Sequence, residues 1–335
     1  VFVRQRHGSI SRTLERMRVT RLLAAVAVAA AALVPTAATA QAATTDMTLN
    51  VWHWNIAGHT IHEGKTNTGV LEHAVTSIMN RDADLVSFNE ICWGQYQRLQ
   101  KLLVAAGWPL SNDFARFATT REPKPTICNG NENFGHALFS KFDLGVSKQY
   151  LLPTDPAAPR KLLCAPLQAT PRMKFCSVHI TTGPDDEDPT DYRRPQLDHM
   201  LDILNGFHSA GETYVVAGDF NVQPDYDHLD SYYAPSVNTV ANRNNSGAHR
   251  ELDDTEAGCP GYGEFTATVT PEDPPPCGEY TKLDLIMARE SQIVGSYTGD
   301  SLVGPVDCVV TGTTKEACSD HRVTIGTVKV RVIDP

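Results

Sequence analysis

The sequence predicts an α+β fold in which strands and helices stack in layers as a sandwich. Three observations carry this expectation. Apolar runs of strand length recur along the chain, bounded by turn residues. Segments with helical spacing stand between some of these runs and not others, so the strands come in groups, unlike a strict β-α repeat. Once a leader is set aside, about 293 residues remain with no low-complexity linker or internal repeat, enough for one large core.

The leader comes first. Met17 is followed by Arg18 and Arg21, then "LLAAVAVAAAALV" (Leu22 to Val34) and "PTAATAQAATT". A basic n-region, a short apolar stretch and an A-x-A site predict a secretory signal peptide. The apolar stretch is too short to span a membrane. Cleavage fits after Ala42, with Ala40 nearly as good. Residues 1–16 precede an ordinary n-region, which places the expected start at Met17. The expected organisation is therefore an upstream segment plus signal peptide at 1–42 and a single domain at 43–335, secreted and without a stable membrane anchor after cleavage.

Removing six Arg and one Glu with the leader leaves 23 basic and 38 acidic residues, a formal net of −15. Such a chain has no global field that attracts nucleic acid or anionic membrane. A polyanion would have to bind through a metal or a local basic patch.

All eight cysteines follow the leader: Cys92, Cys128, Cys164, Cys176, Cys259, Cys277, Cys308 and Cys318. An even count in an exported chain predicts four disulfides. No C-x-x-C pair exists, so a structural zinc site is a poor alternative. Pairing sequence neighbours gives 92–128, 164–176, 259–277 and 308–318. Only 164–176 has a physical argument, because two apolar runs flank "QATPR" as a hairpin; the other three stay open.

Element by element, "MTLNVWHWNI" (Met47 to Ile56) reads as a strand running into the polar loop "AGHTIHEGKTNTG". Leu71, Val75, Ile78 and Met79 recur at helical spacing. "ADLVSFNEI" (Ala83 to Ile91) is a second strand. Tyr96, Leu99, Leu102 and Leu103 give a helix stopped by Gly107. Trp108 to Gly135 reads as a long irregular segment. "HALFS" (His136 to Ser140) and the hairpin around Cys164 and Cys176 follow. "RPQLDHMLDILNGF" (Arg194 to Phe207) is helical and "TYVVAG" is a strand. Residues 225–280 are loop-rich, with "PEDPPPCG" as a rigid insertion. "KLDLIMA" (Lys282 to Ala288) and "VTIGTVKVRVI" (Val323 to Ile333) close the chain as strands.

Strand ends that carry polar residues recur: Asn55, Glu90, His179 in "FCSVHITTG", Asp219 and Asn221 in "VVAGDFNVQP", Asp284 in "KLDLI", and Asp320 and His321 in "CSDHRV". Taken singly, each has a plainer reading. Asp219 and Asn221 suit a turn, Glu90 suits the first turn of the next helix, Asn55 suits a strand end, and His179 suits a core position. Six such ends in one chain suggest convergence on one site.

Their order and spacing resemble the endonuclease/exonuclease/phosphatase superfamily, from "WHWNI" to "SDHRV". "GDFN", "KLDLI" and the terminal "SDH" carry most of the likeness; "FGHALFSKF" and "RRPQLDHML" add to it. The resemblance implies a four-layer α/β/β/α sandwich of two mixed sheets flanked by helices, with a catalytic cleft at one end. It also implies hydrolysis of a phosphate ester with a divalent metal, Mg²⁺ first and Mn²⁺ or Ca²⁺ as alternatives.

Such hydrolysis is among the slowest uncatalysed reactions. It needs a hard cation on the phosphoryl oxygens, an oriented water and donors for the growing charge. The resemblance implies Glu90 as metal ligand, with Asn55 and Asp320 in or near the coordination shell. Asp219 would orient or deprotonate water, or bind a second metal. Asn221 would hold that group or the phosphate. His179 and His321 would donate to phosphoryl oxygens, and Asp284 would orient His321. Whether one metal or two takes part stays open.

Asn89 stands before the glutamate where the family more often has Gln, and Lys141 stands where Arg is common. His59, His62 and Lys65, just after Asn55, have no family role. With Lys141 they are candidate substrate contacts, against a solvated loop as the plainer reading. Arg121 and Lys124 in "REPKP" and the acidic run "DDEDPTD" read as solvated.

The expected activity is a secreted phosphodiesterase acting on nucleic acid as a monomer. A phospholipid or sphingomyelin phosphodiesterase should carry an apolar hairpin, for which "LDSYYAP" (Leu229 to Pro235) is the best candidate. A phosphomonoesterase should carry a basic pocket. A phosphate-ligand binding protein on an inactive version of the fold should have lost Glu90, His179, Asp219 or His321, and all four are present.

Overall fold

A computed structural model describes residues 43–108, 112–121, 124, 126–154, 159–183, 191–267, 277 and 281–333, and in it the apolar runs assemble into two six-stranded sheets. The predicted leader, the acidic run at 185–190 and all of "PEDPPPCG" but Cys277 lie outside the described residues.

The first sheet has the order β11 (Thr298–Leu302), β14 (Val323–Ile333), β1 (Thr44–Asn55), β2 (Leu85–Cys92), β4 (Phe134–Ser140), β3 (Ala115–Arg121). The second runs β5 (Lys148–Leu152), β6 (Arg160–Leu167), β7 (Thr170–His179), β8 (Thr213–Asp219), β10 (Asp284–Arg289), β9 (His249–Glu251), and β12 (Cys308–Val309) pairs apart from both with β13 (Lys315–Glu316). Both sheets are mixed. β1 and β2 pair in parallel across the helix α1 (Val70–Asn80), and β7 and β8 pair in parallel across a long helix, Arg193–Ser209. The remaining pairs in both sheets are antiparallel, as hairpins and returns allow.

Strand alternation sorts side chains into layers. In β8, Tyr214 and Val216 face the long helix with Leu197, Met200 and Leu204, while Val215 and Ala217 face the other sheet. In β2, Val86 and Phe88 pack under α1 and α2 (Trp93–Ala105), while Leu85 points between the sheets with Leu49, Leu138 and Phe175. The four-layer α/β/β/α sandwich is therefore the observed fold. Towards one end the space between the sheets changes character: His53, Ser87, Asn89, His136, Ser177, His179, Asp219 and Asp284 are all buried there.

The segment expected to be irregular, Trp108 to Gly135, contains β3. As an edge strand, β3 buries only Ala115, Ala118 and Thr120, so its alternation is too weak to stand out in sequence. Disulfides join Cys92–Cys128, Cys164–Cys176, Cys259–Cys277 and Cys308–Cys318, the sequence neighbours in every case. Cys164 and Cys176 face each other directly across the β6–β7 hairpin. Among the described residues, no helix is long and apolar enough to cross a membrane.

Candidate active site

Strand directions gather the polar ends at one edge. β1, β2, β7 and β8 finish there with Asn55, Glu90, His179 and Asp219 close to their C-termini. β10 runs the other way and begins there, Asp284 lying opposite Asp219 in register. His321 precedes β14, which runs antiparallel to β1. Both sheets thus contribute to one cluster.

Local backbone features aim the side chains. Gly218 packs so close to β7 that a Cβ there would stand 2.0 Å from the Val178 carbonyl oxygen, so a glycine ends the β8 run. Asn221 follows at φ 50, and its amide donates to Asp219 Oδ1 at 2.9 Å. Glu90 sits at φ 56 in a β-bulge between Phe88 and Ile91, which turns its carboxylate to the cleft. Gly58 lies against this bulge, with its amide donating to the Glu90 carbonyl at 2.9 Å.

Asp219 Oδ2 is the centre of the cluster. Asn55 Nδ2 donates to it at 3.1 Å, His179 Nε2 stands 3.6 Å away and His321 Nε2 3.7 Å away. Asn55 Nδ2 also lies 3.5 Å from Glu90 Oε1, and His179 Nε2 lies 4.0 Å from that oxygen. The Asp219 amide donates to Asn89 Oδ1 at 2.8 Å, so the Asn that replaces the family's usual Gln braces the β8 end. Asp284 is shared between His321 Nδ1 at 2.7 Å and His53 Nε2 at 3.0 Å. His53 in turn meets Ser87, which donates to Ser177.

Burial pushes the Asp219 carboxyl up to about 7 against the pull of the His321 charge. Burial also disfavours charge on His321, yet the charge and hydrogen bond of Asp284, with Asp219 behind them, raise it to about 10. Burial and then the Arg160 charge hold His179 well below the usual histidine range. Burial opposes ionisation of Asp284, but His321 and His53 outweigh it and keep the carboxyl below its usual range. At neutral pH the arrangement offers a carboxylate poised to take a proton, a charged imidazole donor and a neutral one.

The other predicted residues fall in several places. Asn221 turns its side-chain amide onto the Ile180 carbonyl at 2.9 Å, clamping the ends of β7 and β8 together. Asp320 is exposed while His321 is buried, in the bend that precedes β14. His59 reaches the pocket beside Glu90 and His179. His62 is fully buried, and its Nε2 meets the Cys318 carbonyl at 2.8 Å, so it is a packing residue and not a substrate contact. Lys65 is held by Glu63 at 2.8 Å. Lys141 pairs with Asp82 and Asp84 before β2, at the opposite end of that strand from Glu90, because β4 runs antiparallel to β2.

Sequence reasoning missed His53, Ser87, Ser177, Arg160 and His136. His53 and Ser177 lie two residues before a predicted site residue, so period-two alternation could have found them; Ser87 lies three before Glu90, across the bulge that breaks the alternation. It also missed Lys282, fully buried two residues before Asp284 and held by Asp253 at 2.7 Å and Glu251 at 3.2 Å.

The ligand atoms of Asp219, Asp284 and His321 lie within 4.8 Å of one another, close enough to share a cation. Asp284, however, is already bonded by two histidines, and a charged His321 has no lone pair to offer. The Glu90 carboxylate, on the more open side of the cluster, fits a hard divalent cation better, while Asn55 turns its Oδ1 away to accept from the Ala57 amide at 3.2 Å.

The model of the Endonuclease/Exonuclease/phosphatase family matches residues 52–321. No curated protein matches the sequence. Among solved structures, the chain is similar to the human Nocturnin catalytic domain with bound sulfate (18% identity, TM-score 0.57), over 86% of this chain and 96% of that one. It is similar to D. rerio TDP2 complexed with a single-strand DNA product (15%, TM-score 0.55), over 84% and 98%. It is also similar to a Bacteroides thetaiotaomicron mannosyl-6-phosphatase (13%, TM-score 0.56), over 84% and 99%. At these identities the likeness shows a shared fold. With the family model spanning the strands that build the cluster, the chain belongs to the endonuclease/exonuclease/phosphatase family.

Proposed function

We propose that the chain is a secreted, metal-dependent phosphodiesterase that hydrolyses nucleic-acid phosphodiester bonds by in-line attack of water. The observation that carries this reading is Asp219 Oδ2, set between two imidazole Nε2 atoms at 3.6 and 3.7 Å and braced by the Asn55 amide. Asp219 takes the proton of the attacking water. His321, held charged by Asp284, and His179 donate to the phosphoryl oxygens as charge grows there. Glu90, beside Asn55, would hold the divalent cation, Mg²⁺ by the hard carboxylate oxygens, and the bound ion would neutralise a phosphoryl oxygen. Four disulfides and the leader-like segment ahead of the fold support export to an oxidising compartment.

A lipid headgroup is less well supported. In the best sequence candidate for a membrane-entering hairpin, Leu229, Tyr232, Tyr233 and Ala234 are buried. A phosphomonoester is the second reading, favoured by the pocket containing Arg121 and Arg160 beside Glu90.

Purified protein assayed on plasmid DNA, RNA, sphingomyelin and a phosphomonoester, with Mg²⁺, Mn²⁺, Ca²⁺ or chelator, tests the reading. The expected result is metal-dependent turnover of nucleic acid that collapses in Asp219→Asn and His179→Ala while both variants stay folded. Unchanged activity in both variants would sink the site, and turnover indifferent to chelator would sink the metal.

A further inference from the structure

Asp284 and Asp219 are also joined from behind, through the interior of the sandwich. His53 Nε2 meets Asp284 Oδ1 at 3.0 Å, and His53 Nδ1 lies 3.1 Å from Ser87 Oγ. Ser87 donates to Ser177 Oγ at 2.8 Å, and Asn89 Nδ2 approaches the same oxygen at 3.4 Å. Asn89 Oδ1 then accepts the Asp219 amide at 2.8 Å. His53, Ser87, Asn89 and Ser177 are all fully buried.

This run ties the two sheets to each other. His53 belongs to β1, and Ser87 and Asn89 to β2, in the first sheet; Ser177, Asp219 and Asp284 stand on β7, β8 and β10 of the second. Three contacts cross between them: His53 to Asp284, Ser87 to Ser177 and Asn89 to Asp219. His53 and Ser87 are partners in the parallel register of β1 and β2, so the first two crossings brace each other.

The Asp284 carboxylate is where the brace matters. The last torsion of an aspartate is broad, so a carboxylate held at one oxygen keeps freedom to swing. The Asp284 amide is fixed on Thr266 Oγ1 at 2.9 Å, which leaves that torsion as the remaining freedom. His321 Nδ1 takes Oδ2 and His53 Nε2 takes Oδ1, one imidazole to each oxygen. An ionised carboxylate only accepts, so His53 Nε2 carries the hydrogen. With no accessible surface, His53 cannot touch substrate, and its effect on the reaction must pass through Asp284. Elsewhere the same face of β1 carries Leu49 and Val51, and an apolar residue at 53 would need no partners at all.

We propose that His53 is a positioning residue: it sets the plane of the Asp284 carboxylate and thereby the direction in which His321 Nε2 faces Asp219. The proposal rests on the phosphodiesterase reading and deepens it by adding an interior support to the reacting groups.

The test compares wild type with His53→Gln, His53→Asn and His53→Leu on plasmid DNA and bis(p-nitrophenyl) phosphate in Mg²⁺. A Gln amide reaches as far as Nε2 and can still donate to Asp284, whereas an Asn amide reaches only as far as Nδ1. His53→Asn and His53→Leu should lower kcat by about tenfold or more with KM changed by less than about threefold. His53→Gln should recover kcat to within about threefold of wild type. Equal kcat in the Gln and Asn variants, or a loss confined to KM, overturns the proposal. If circular dichroism shows the Asn and Leu variants unfolded, Ser87→Ala takes their place. It frees the far side of the ring and should lower kcat by about threefold or more with KM kept; an unchanged kcat overturns the proposal. If wild type turns over neither substrate, the phosphodiesterase reading fails by itself. The proton resonance of His321 Nδ1–H then decides the positioning role. Its survival in His53→Gln and its loss in His53→Asn, or in Ser87→Ala where His53→Asn does not fold, support the role, and the same signal in every variant overturns it.

Discussion

Asp284 holds His321 by a 2.7 Å Nδ1···Oδ2 hydrogen bond, the carboxylate fully buried and the imidazole keeping a small accessible edge. The bond fixes the ring so that Nε2 faces Asp219, and its charge keeps the imidazole protonated up to about 10. In Asp284→Asn the charge is gone, so His321 loses its proton at lower pH. The expected outcome is a kcat lower by about 10²-fold or more, with the alkaline limb of the pH–rate profile moved towards neutrality. A profile that stays in place would show that His321 acts without Asp284.

His136 should govern part of the acid sensitivity of the fold. Burial, aided by Arg160, Lys161 and His53, lowers it from 6.5 to about 3 in the native state. Between those two values the unfolded chain binds a proton that the folded chain refuses, so stability falls as pH falls through this window. The slope from this one group is about 1.4 kcal/mol per pH unit. Denaturant melts of His136→Leu at pH 7, 6, 5 and 4 should show a shallower decline than wild type. Parallel curves would remove His136 from the account.

A cation at Glu90 should be visible without any substrate. Saturating Mg²⁺ at about 100 times its Kd adds about 2.7 kcal/mol to stability, a rise in Tm of several degrees. Differential scanning fluorimetry should show that rise in wild type, its reversal by chelator and its loss in Glu90→Gln. A full Mg²⁺ shift in Glu90→Gln would move the cation elsewhere.

Gly58 should behave as a functional residue although it bears no side chain. A Cβ there would stand 2.3 Å from Gln95 Oε1 and 2.5 Å from the Glu90 carbonyl oxygen. Gly58→Ala must therefore displace the bulge that aims Glu90, with a stability cost of about 1–3 kcal/mol. Turnover should fall by about tenfold or more and the Mg²⁺ shift should shrink, both measured on protein shown to be folded by circular dichroism.

Legibility in the sequence followed the period of the strands. Asp219 and Asp284 stand where apolar runs break, and an apolar run that ends in a carboxylate can be read without coordinates. Asp320 and His321 looked equivalent because they are neighbours, yet the bend before β14 turns one outwards and one inwards. Lys141 matched a motif at the end of β4, but strand direction decides which end of the sandwich that is, and direction comes from pairing with β2. His59 and His62 share one polar loop; only the fold shows that the first lines a pocket and the second supports the Cys318 carbonyl. Arg160 follows the proline-containing sequence "PTDPAAP" and carries no local signal. Its meaning lies in what surrounds it.

The pairing of β1 with β14, from Thr44↔Ile333 to His53↔Thr324, joins strands made at opposite times during synthesis. A nascent chain exposes β1 early and must wait for β14 before the first sheet can close around it. His321 arrives just before that last strand. A polypeptide made only as far as β8 carries Glu90, His179 and Asp219 but neither Asp284 nor His321. A chain that stops short of β14 is therefore expected to lack phosphoester hydrolysis however well its second sheet forms.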